Sequence, residues 1–199
     1  MTRKLMIAPS VLVLVAMILV IGLRGDSSYT VAYASFAPLN SAVYIAEADG
    51  RNAHVLVDHY SLDSNASFSS DGQSVLFTSR RSGSADIYRV QLDGKGLTRL
   101  TDHPAFDDQA VMAPDGKRIV FVSSRSGQAD VWTLELKTKR LRNVTNHPGG
   151  DYRPAWSPDG QWIAFTSDRE SPGSRANTPR SKGGFAPVQI TQLYLVRPD

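Results

Sequence analysis

The chain of 199 residues contains no cysteine. That absence excludes a disulfide framework, a thiolate metal site and a lipidated N-terminal cysteine. It leaves export open. A surplus of charge is also lacking once one segment is set aside. The formal charge is +3, but Arg3, Lys4 and Arg24 flank a single apolar run, and the other 19 basic residues meet 19 acidic ones. A neutral body offers no electrostatic footprint for nucleic acid. Catalytic signatures are missing as well. There is no Gly-x-Ser-x-Gly elbow, no His-Glu-x-x-His helix and no Gly-rich phosphate loop. Helical periodicity is absent outside residues 1–25.

One long apolar run is present. Met6 to Leu23 is 18 residues without a charge, preceded by Arg3 and Lys4. Its length suits a membrane-spanning helix, with the basic flank on the cytoplasmic side. Residues 1–25 therefore read as an uncleaved signal anchor or a cleaved signal peptide. Leu23-Arg24-Gly25 fits a cleavage site poorly. A buried core helix is the third reading. Either of the first two puts residues 29–199 outside the cytoplasm, anchored in the inner membrane and facing the periplasm, or periplasmic if cleaved, with the membrane contacted through residues 6–23.

The rest is organised by repetition. Ala155-Trp156-Ser157-Pro158-Asp159-Gly160 has weaker copies at Ser67 to Gly72 and Val111 to Gly116, and the Asp-Gly pairs stand 44 residues apart. A fixed period of this size marks a repeat architecture. After each Asp-Gly comes an alternating apolar segment: Gln73 to Ser79, Lys117 to Ser123 and Gln161 to Ser167, with Tyr29 to Ser35 one period earlier. A further strand follows at Val43 to Ile45, Ile87 to Val90, Val131 to Leu134 and Leu193 to Val196. A last one lies at His54 to Val57, Leu97 to Thr101 and Leu141 to Thr145. Each period thus predicts four short antiparallel strands, here named a, b, c and d. Such a unit cannot bury both faces alone, so neighbours must stack. Residues 26–199 divide into units 29–62, 63–106, 107–150 and 151–199.

Trp-Ser-Pro-Asp-Gly, the following Ile163-Ala164-Phe165-Thr166-Ser167, an aspartate before Ile87-Tyr88, and Leu100-Thr101 together resemble the WD40-like (PD40) β-propeller repeats of the TolB family. The resemblance covers residues 29 to 199. It implies an all-β propeller, and related blades also occur in prolyl-oligopeptidase-type peptidases, tricorn-like proteins and oligogalacturonate lyases. TolB itself is similar in its propeller but carries a small α/β domain ahead of it, for which there is no room between the apolar run and the first strand. The family propeller has six blades. Here unit 1 supplies b, c and d and unit 4 supplies a, b and c, so the expectation is about 3.5 blades, an open arc or a fragment of a six-bladed ring. Unit 4 also carries an insertion, Ser171 to Gln189, with Arg175, Arg180 and Lys182 and no acid. It reads as a flexible loop.

In a four-stranded meander the b–c and d–a connections share one face. His59, His103 and His147 fall there, 44 apart, as do Asp63, Asp107 and Asp151 at the start of strand a. Three related histidines could ligate a metal. Turn residues repeated with the blade are the plainer reading, and neither a metal nor a cofactor is expected. The aspartates either point at a central channel or hydrogen-bond blade backbone. Arg81 and Arg125, five residues before Asp86 and Asp130, are expected to pair with them across the b–c hairpin. Arg169 meets Gln192 at that position, so it is expected to be free. Phe77, Phe121 and Phe165 read as core, and Phe68 and Trp156 as packing between blades. Asn65-Ala66-Ser67 and Asn143-Val144-Thr145 match the glycosylation sequon, a short pattern that chance supplies often.

These readings point to a non-enzymatic protein-interaction scaffold of the cell envelope. Its contact face would carry His59, Asp63, His103, Asp107, His147, Asp151, Arg169, Arg175, Arg180 and Lys182. The alternative is the propeller portion of a peptidase or lyase whose catalytic part lies elsewhere. A degraded gene is the third possibility.

Overall fold

The computed structural model describes residues 30–36, 41–170 and 191–199. Among the described residues fourteen strands form four antiparallel sheets. The first holds β1 (Thr30–Phe36), β2 (Ser41–Glu47) and β3 (His54–Val57). The second holds β4 (Asp63–Phe68), β5 (Ser74–Ser79), β6 (Asp86–Gln91) and β7 (Thr98–Arg99). The third repeats it with β8 (Asp107–Met112), β9 (Arg118–Ser123), β10 (Asp130–Glu135) and β11 (Leu141–Asn143). The fourth holds β12 (Asp151–Trp156), β13 (Ile163–Ser167) and β14 (Gln192–Val196). Each sheet is a simple meander, its strands paired in chain order. No helix among the described residues is long and apolar enough to cross a membrane. The apolar run 6–23 and the basic residues Arg175, Arg180 and Lys182 lie outside the described residues.

The Asp-Gly turns work by a local mechanism. In the second sheet the Asp71 carboxylate accepts the Gln73 amide at 3.0 Å and the Ser69 hydroxyl at 2.6 Å. Gly72 takes φ +67, a region costly for any residue with a Cβ. Gly116 and Gly160 repeat it at +68 and +69.

Strand d is shorter than its sequence suggests. β7 ends at Arg99, because Thr101 leaves the ladder and binds the Ile87 amide through its hydroxyl at 3.0 Å. Thr145 does the same for Val131 at 3.0 Å. Side chain replaces backbone as the partner, so the pairing persists although the strand stops.

The core lies between sheets, not within them. Successive residues of a strand point to opposite faces. In β5, Val75 and Phe77 pack on Val43, Ile45 and Leu56 of the first sheet, while Leu76 packs on Met112, Ile119 and Phe121 of the third. In β9, Val120 turns the other way and joins Ile163 and Phe165. Phe77, Phe121 and Phe165 are all buried, worth about 1.5–3 kcal/mol each in transfer free energy. Phe68 packs against the first cluster and Trp156 against the third. The Trp156 indole also donates to the Val111 carbonyl at 3.2 Å, tying the fourth sheet to the third.

Candidate functional site

The candidate site is the face formed by the b–c turns and the d–a loops. Its framework is one constellation, built three times. Asp63 begins β4 and lies opposite Ser79, the last residue of β5; Ser79 lies in turn opposite Asp86, the first residue of β6. Asp107, Ser123 and Asp130 repeat this, and Asp151, Ser167 and Gln192 repeat it again. Each serine therefore sits between two acidic positions, or between an acid and a glutamine.

Two residues beyond each serine stands an arginine. Arg81 donates from Nε to Ser79 Oγ at 2.8 Å and from Nη2 to Asp63 Oδ2 at 2.7 Å. Arg125 binds Ser123 and Asp107 at 2.8 and 2.6 Å. Arg169 binds Ser167 at 2.9 Å and both oxygens of Asp151 at 3.0 and 3.2 Å. The guanidinium also lies over two rings. For Arg81 these are Phe77 and Tyr88, at 5.3 and 5.1 Å; for Arg125, Phe121 and Trp132; for Arg169, Phe165 and Tyr194. Desolvated cation–π contact and a charge-assisted hydrogen bond act on one group. The arginine thus locks strands a, b and c at the rim of each sheet.

This corrects two expectations. Arg81 and Arg125 pair with Asp63 and Asp107 of strand a, not with Asp86 and Asp130 of strand c. Arg169 is not free, since it holds Asp151. The partner lies 18 residues upstream, across two strands, instead of five downstream.

Asp86 and Asp130 are neutralised in other ways. Arg99 of β7 donates to Asp86 at 2.7 Å and also meets Asp102 at 2.9 Å. Burial opposes the charge on Arg99, but the hydrogen bond to Asp86 and the two carboxylates outweigh it and raise the pKa. Among the described residues Asp130 meets no cation. It accepts hydrogen bonds from the Ser126 hydroxyl, from Gln128 and Asn143 at 3.2 and 2.9 Å, and from the His147 amide at 3.1 Å. Asn143 is therefore engaged, and Asn65 donates to Asp108 at 2.7 Å. Both sequon asparagines have structural work.

The three histidines sit half-buried on the d–a loops, and each turns Nδ1 inward. His59 Nδ1 accepts the Ser61 amide at 3.1 Å, His103 that of Ala105 at 3.0 Å, and His147 that of Gly149 at 3.0 Å. An accepting Nδ1 places the neutral ring's proton on Nε2. These are loop-bracing contacts. Among the described residues no group of three or more His, Asp or Glu is placed to hold a metal ion.

Asp63, Asp107 and Asp151 have no exposed surface, so they shape the face from beneath. What reaches solvent is different. Tyr60 is 86% exposed and stacks on His59 at 4.2 Å, and Leu62 and Phe106 stand out from the same loops one period apart. Beside them, Ser82, Ser84, Arg99, Asp102 and His103 line a polar cleft of about 510 Å³. The sequence pointed to the histidines and aspartates and passed over Tyr60, Leu62 and Phe106. Exposure was the missing quantity.

The a-strands carry a second feature that the sequence hides. Each has a β-bulge, and Asn65, Gln109 and Arg153 take φ +51, +58 and +52 there. Bulges re-aim side chains and cluster near functional surfaces. Gln109 accepts the Arg153 amide at 2.8 Å, and with Tyr152, Arg153, Thr166, Asp168 and Thr191 it lines a cleft of about 390 Å³. Burial, then Asp168 and Asp151, raise the Tyr152 pKa above its ordinary value.

The family comparison agrees with this geometry. The model of the TolB beta propeller domain family, PD40, matches residues 25–125 and 104–194. Among solved structures, a TolB protein from Agrobacterium tumefaciens is similar at 28% identity and TM-score 0.63, over 69% of this chain and 50% of that one. TolB from Acinetobacter baumannii is similar at 29% identity and TM-score 0.63, over 69% of this chain and 34% of that one. An oligogalacturonate lyase in complex with manganese shares the fold at 19% identity and TM-score 0.60, over 87% of this chain and 46% of that one. This chain spans half or less of each. No curated protein matches it. With the repeat, the sheet topology and the family match in agreement, the chain belongs to the TolB beta propeller domain family.

Proposed function

We propose that this chain is a non-enzymatic protein-interaction propeller working outside the cytoplasm, with its b–c and d–a loops as the contact face. The observation that carries the reading is the exposed row of Tyr60, Leu62 and Phe106 on loops braced from beneath by the arginine constellation. Interface energy concentrates in a few aromatic and apolar anchors on rigid supports. His59, His103 and His147 position the loops. Asp63, Asp107, Asp151 and Arg169 hold the strand ends. Arg175, Arg180 and Lys182 add a basic element for an acidic partner. Arg3, Lys4 and the apolar run 6–23 support export, with an anchored or a cleaved N-terminus.

The test is comparative capture from an envelope extract by the immobilised full chain. Tyr60→Ala with Phe106→Ala should lose the partner while the melting temperature stays the same. Capture should also weaken from low to high salt if the basic residues take part. Unchanged capture by the double variant would sink this reading.

The second reading is the propeller portion of a peptidase or lyase. It is favoured only by shared fold, as with the lyase above. A hydrolase domain with a nucleophile elbow, or a lyase catalytic part, encoded in the same reading frame would support it, and a reading frame holding only further propeller repeats would count against it.

A further inference from the structure

We propose that the face opposite the loop face is turned toward the membrane, where the basic c–d turn of the third blade, Lys137 to Arg142, docks on anionic phospholipid headgroups. This rests on the reading of residues 6–23 as a membrane anchor.

In a four-stranded meander the a–b and c–d turns share the face away from the b–c and d–a loops. The chain enters the first sheet on that face. Thr30, the first residue of β1, lies opposite Glu47, and the Glu47 amide closes the c–d turn by donating to the Arg51 carbonyl at 3.0 Å. Seven residue steps separate Leu23 from Thr30, a reach of about 25 Å at full extension. With the run 6–23 in the bilayer, this face stays beside the headgroups. Tyr60, Leu62 and Phe106 then lie on the far side, open to a partner.

The c–d turns on this face differ in charge. In the first blade Arg51 is held by Glu47 and Asp49 at 3.3 and 2.6 Å. In the second, Lys95 meets Asp93 at 3.5 Å. The third replaces the Asp-Gly pair with Lys137-Thr138-Lys139-Arg140, and Arg142 follows. Lys137, Lys139 and Arg140 are exposed and form no ion pair among the described residues, and neither does Lys117 on the a–b turn of the same blade. The acid of the turn, Glu135, accepts the Thr138 hydroxyl at 2.8 Å. The positive charge is left to the solvent side.

The backbone holds one of these lysines against its preference. Glu47, Gln91 and Glu135 close their turns in the same way, onto the carbonyls of Arg51, Lys95 and Arg140. The residue before the closing one is Gly50 at φ +82, Gly94 at φ +78, and then Lys139 at φ +60. Left-handed backbone favours glycine, so a lysine kept there points to a use for its side chain.

The chemistry of the turn selects the occupant. Lysine is a flexible point charge, suited to a diffuse anionic surface. Neither cleft described above is lined by these residues. Leu141, 41% exposed, stands between Arg140 and Arg142, an apolar contact among cations as on segments that lie in a membrane interface. Anionic lipid is the surface that the anchor brings within reach.

The absence of cysteine makes each introduced thiol unique. Full-length Thr138→Cys and Tyr60→Cys chains carry a fluorophore and are placed in nanodiscs with a headgroup-quencher lipid. The discs are phosphatidylcholine alone or an equal mixture with phosphatidylglycerol. The Thr138 label should be quenched several-fold more in the anionic discs, and high salt should remove the excess. The Tyr60 label should be quenched in neither. Adding Lys137→Glu, Lys139→Glu and Arg140→Glu should return the Thr138 label to its neutral-disc level. Lys137→Gln, Lys139→Gly and Arg140→Gln should do the same with folding secure, because glycine suits the backbone at position 139. Equal quenching of the two labels, equal quenching in the two discs, or an excess that survives both triple variants would overturn the proposal. A chain that does not enter the discs overturns the anchor reading instead. Sedimentation of the full chain with phosphatidylglycerol vesicles then reads the turn by itself. Sedimentation that the triple variants lose supports the docking turn, and none, or no loss, overturns it.

Discussion

The second and third blades place the same buried carboxylates in the same positions and satisfy them differently. Asp63 accepts Ser61 at 2.9 Å as well as Arg81, so both its oxygens are engaged. One period on, Ala105 stands where Ser61 stood, and Asp107 Oδ1 is buried without a partner. Asp86 has the guanidinium of Arg99, whereas Asp130 has only neutral donors. The repeat therefore fixes where the negative charge lies, and each blade finds its own donors. What is common to both, an arginine bridging strands a and b, is the part that holds the rim.

The largest effect should come from breaking that common part where its support is thinnest. Arg125→Leu leaves Asp107 buried with neither oxygen paired, an uncompensated charge costing about 3–5 kcal/mol. Arg81→Leu should cost about 1 kcal/mol less, because Ser61 still donates to Asp63. Urea denaturation of the two variants measures the difference. Equal losses would mean that the serine contributes nothing.

A smaller change turns one blade into the other. Arg99→Asn gives Asp86 the donor that Asp130 has, and should cost about 1.5–3 kcal/mol, the level of a hydrogen bond to a charged group. Adding Asp86→Asn should recover part of the loss, read as a coupling energy in a double-mutant cycle. The reverse repair is Ala105→Ser. It supplies the hydroxyl that Asp107 lacks and should stabilise by about 1 kcal/mol. A fall in the denaturation midpoint would show that the third blade has no room for the oxygen.

The smallest effect concerns the Asp-Gly turns. The Ser69 hydroxyl, then the Gln73 amide, lower the pKa of Asp71, and Ser157 with Gln161 do the same for Asp159. A carboxylate lowered in the folded state stabilises above its unfolded pKa of about 4, and that contribution is lost as pH falls through the lowered value. Ser69→Ala should move the Asp71 titration up toward the ordinary range in a carbon-detected NMR experiment. The third blade already has Ala113 at this position. No shift of the Asp71 titration would assign its low pKa to the backbone amide alone.

Much of the fold was legible from spacing. The 44-residue period, the alternation in Val75-Leu76-Phe77 and the Asp-Gly pairs rest on local chemistry, where side-chain direction and φ are set by neighbours in the chain. The geometry of the candidate face was legible only in part. His59, His103 and His147 stand out because they repeat, but repetition does not say that Nδ1 turns inward. Tyr60 and Phe106 were passed over because exposure depends on what the fold leaves uncovered.

The amino-acid sequence by itself determined the strands, their turns, the residues that face a neighbouring blade and the acidic positions at the strand starts. Only the tertiary structure decided which acid each arginine takes. Ser79 lies between Asp63 and Asp86 in the same row of the sheet, so Arg81 stands within reach of either. Arg99, arriving from β7, takes Asp86, and Arg81 lies over Phe77 and Tyr88 toward Asp63. That choice depends on a third strand and two rings meeting in space, and separation along the chain carries no information about it.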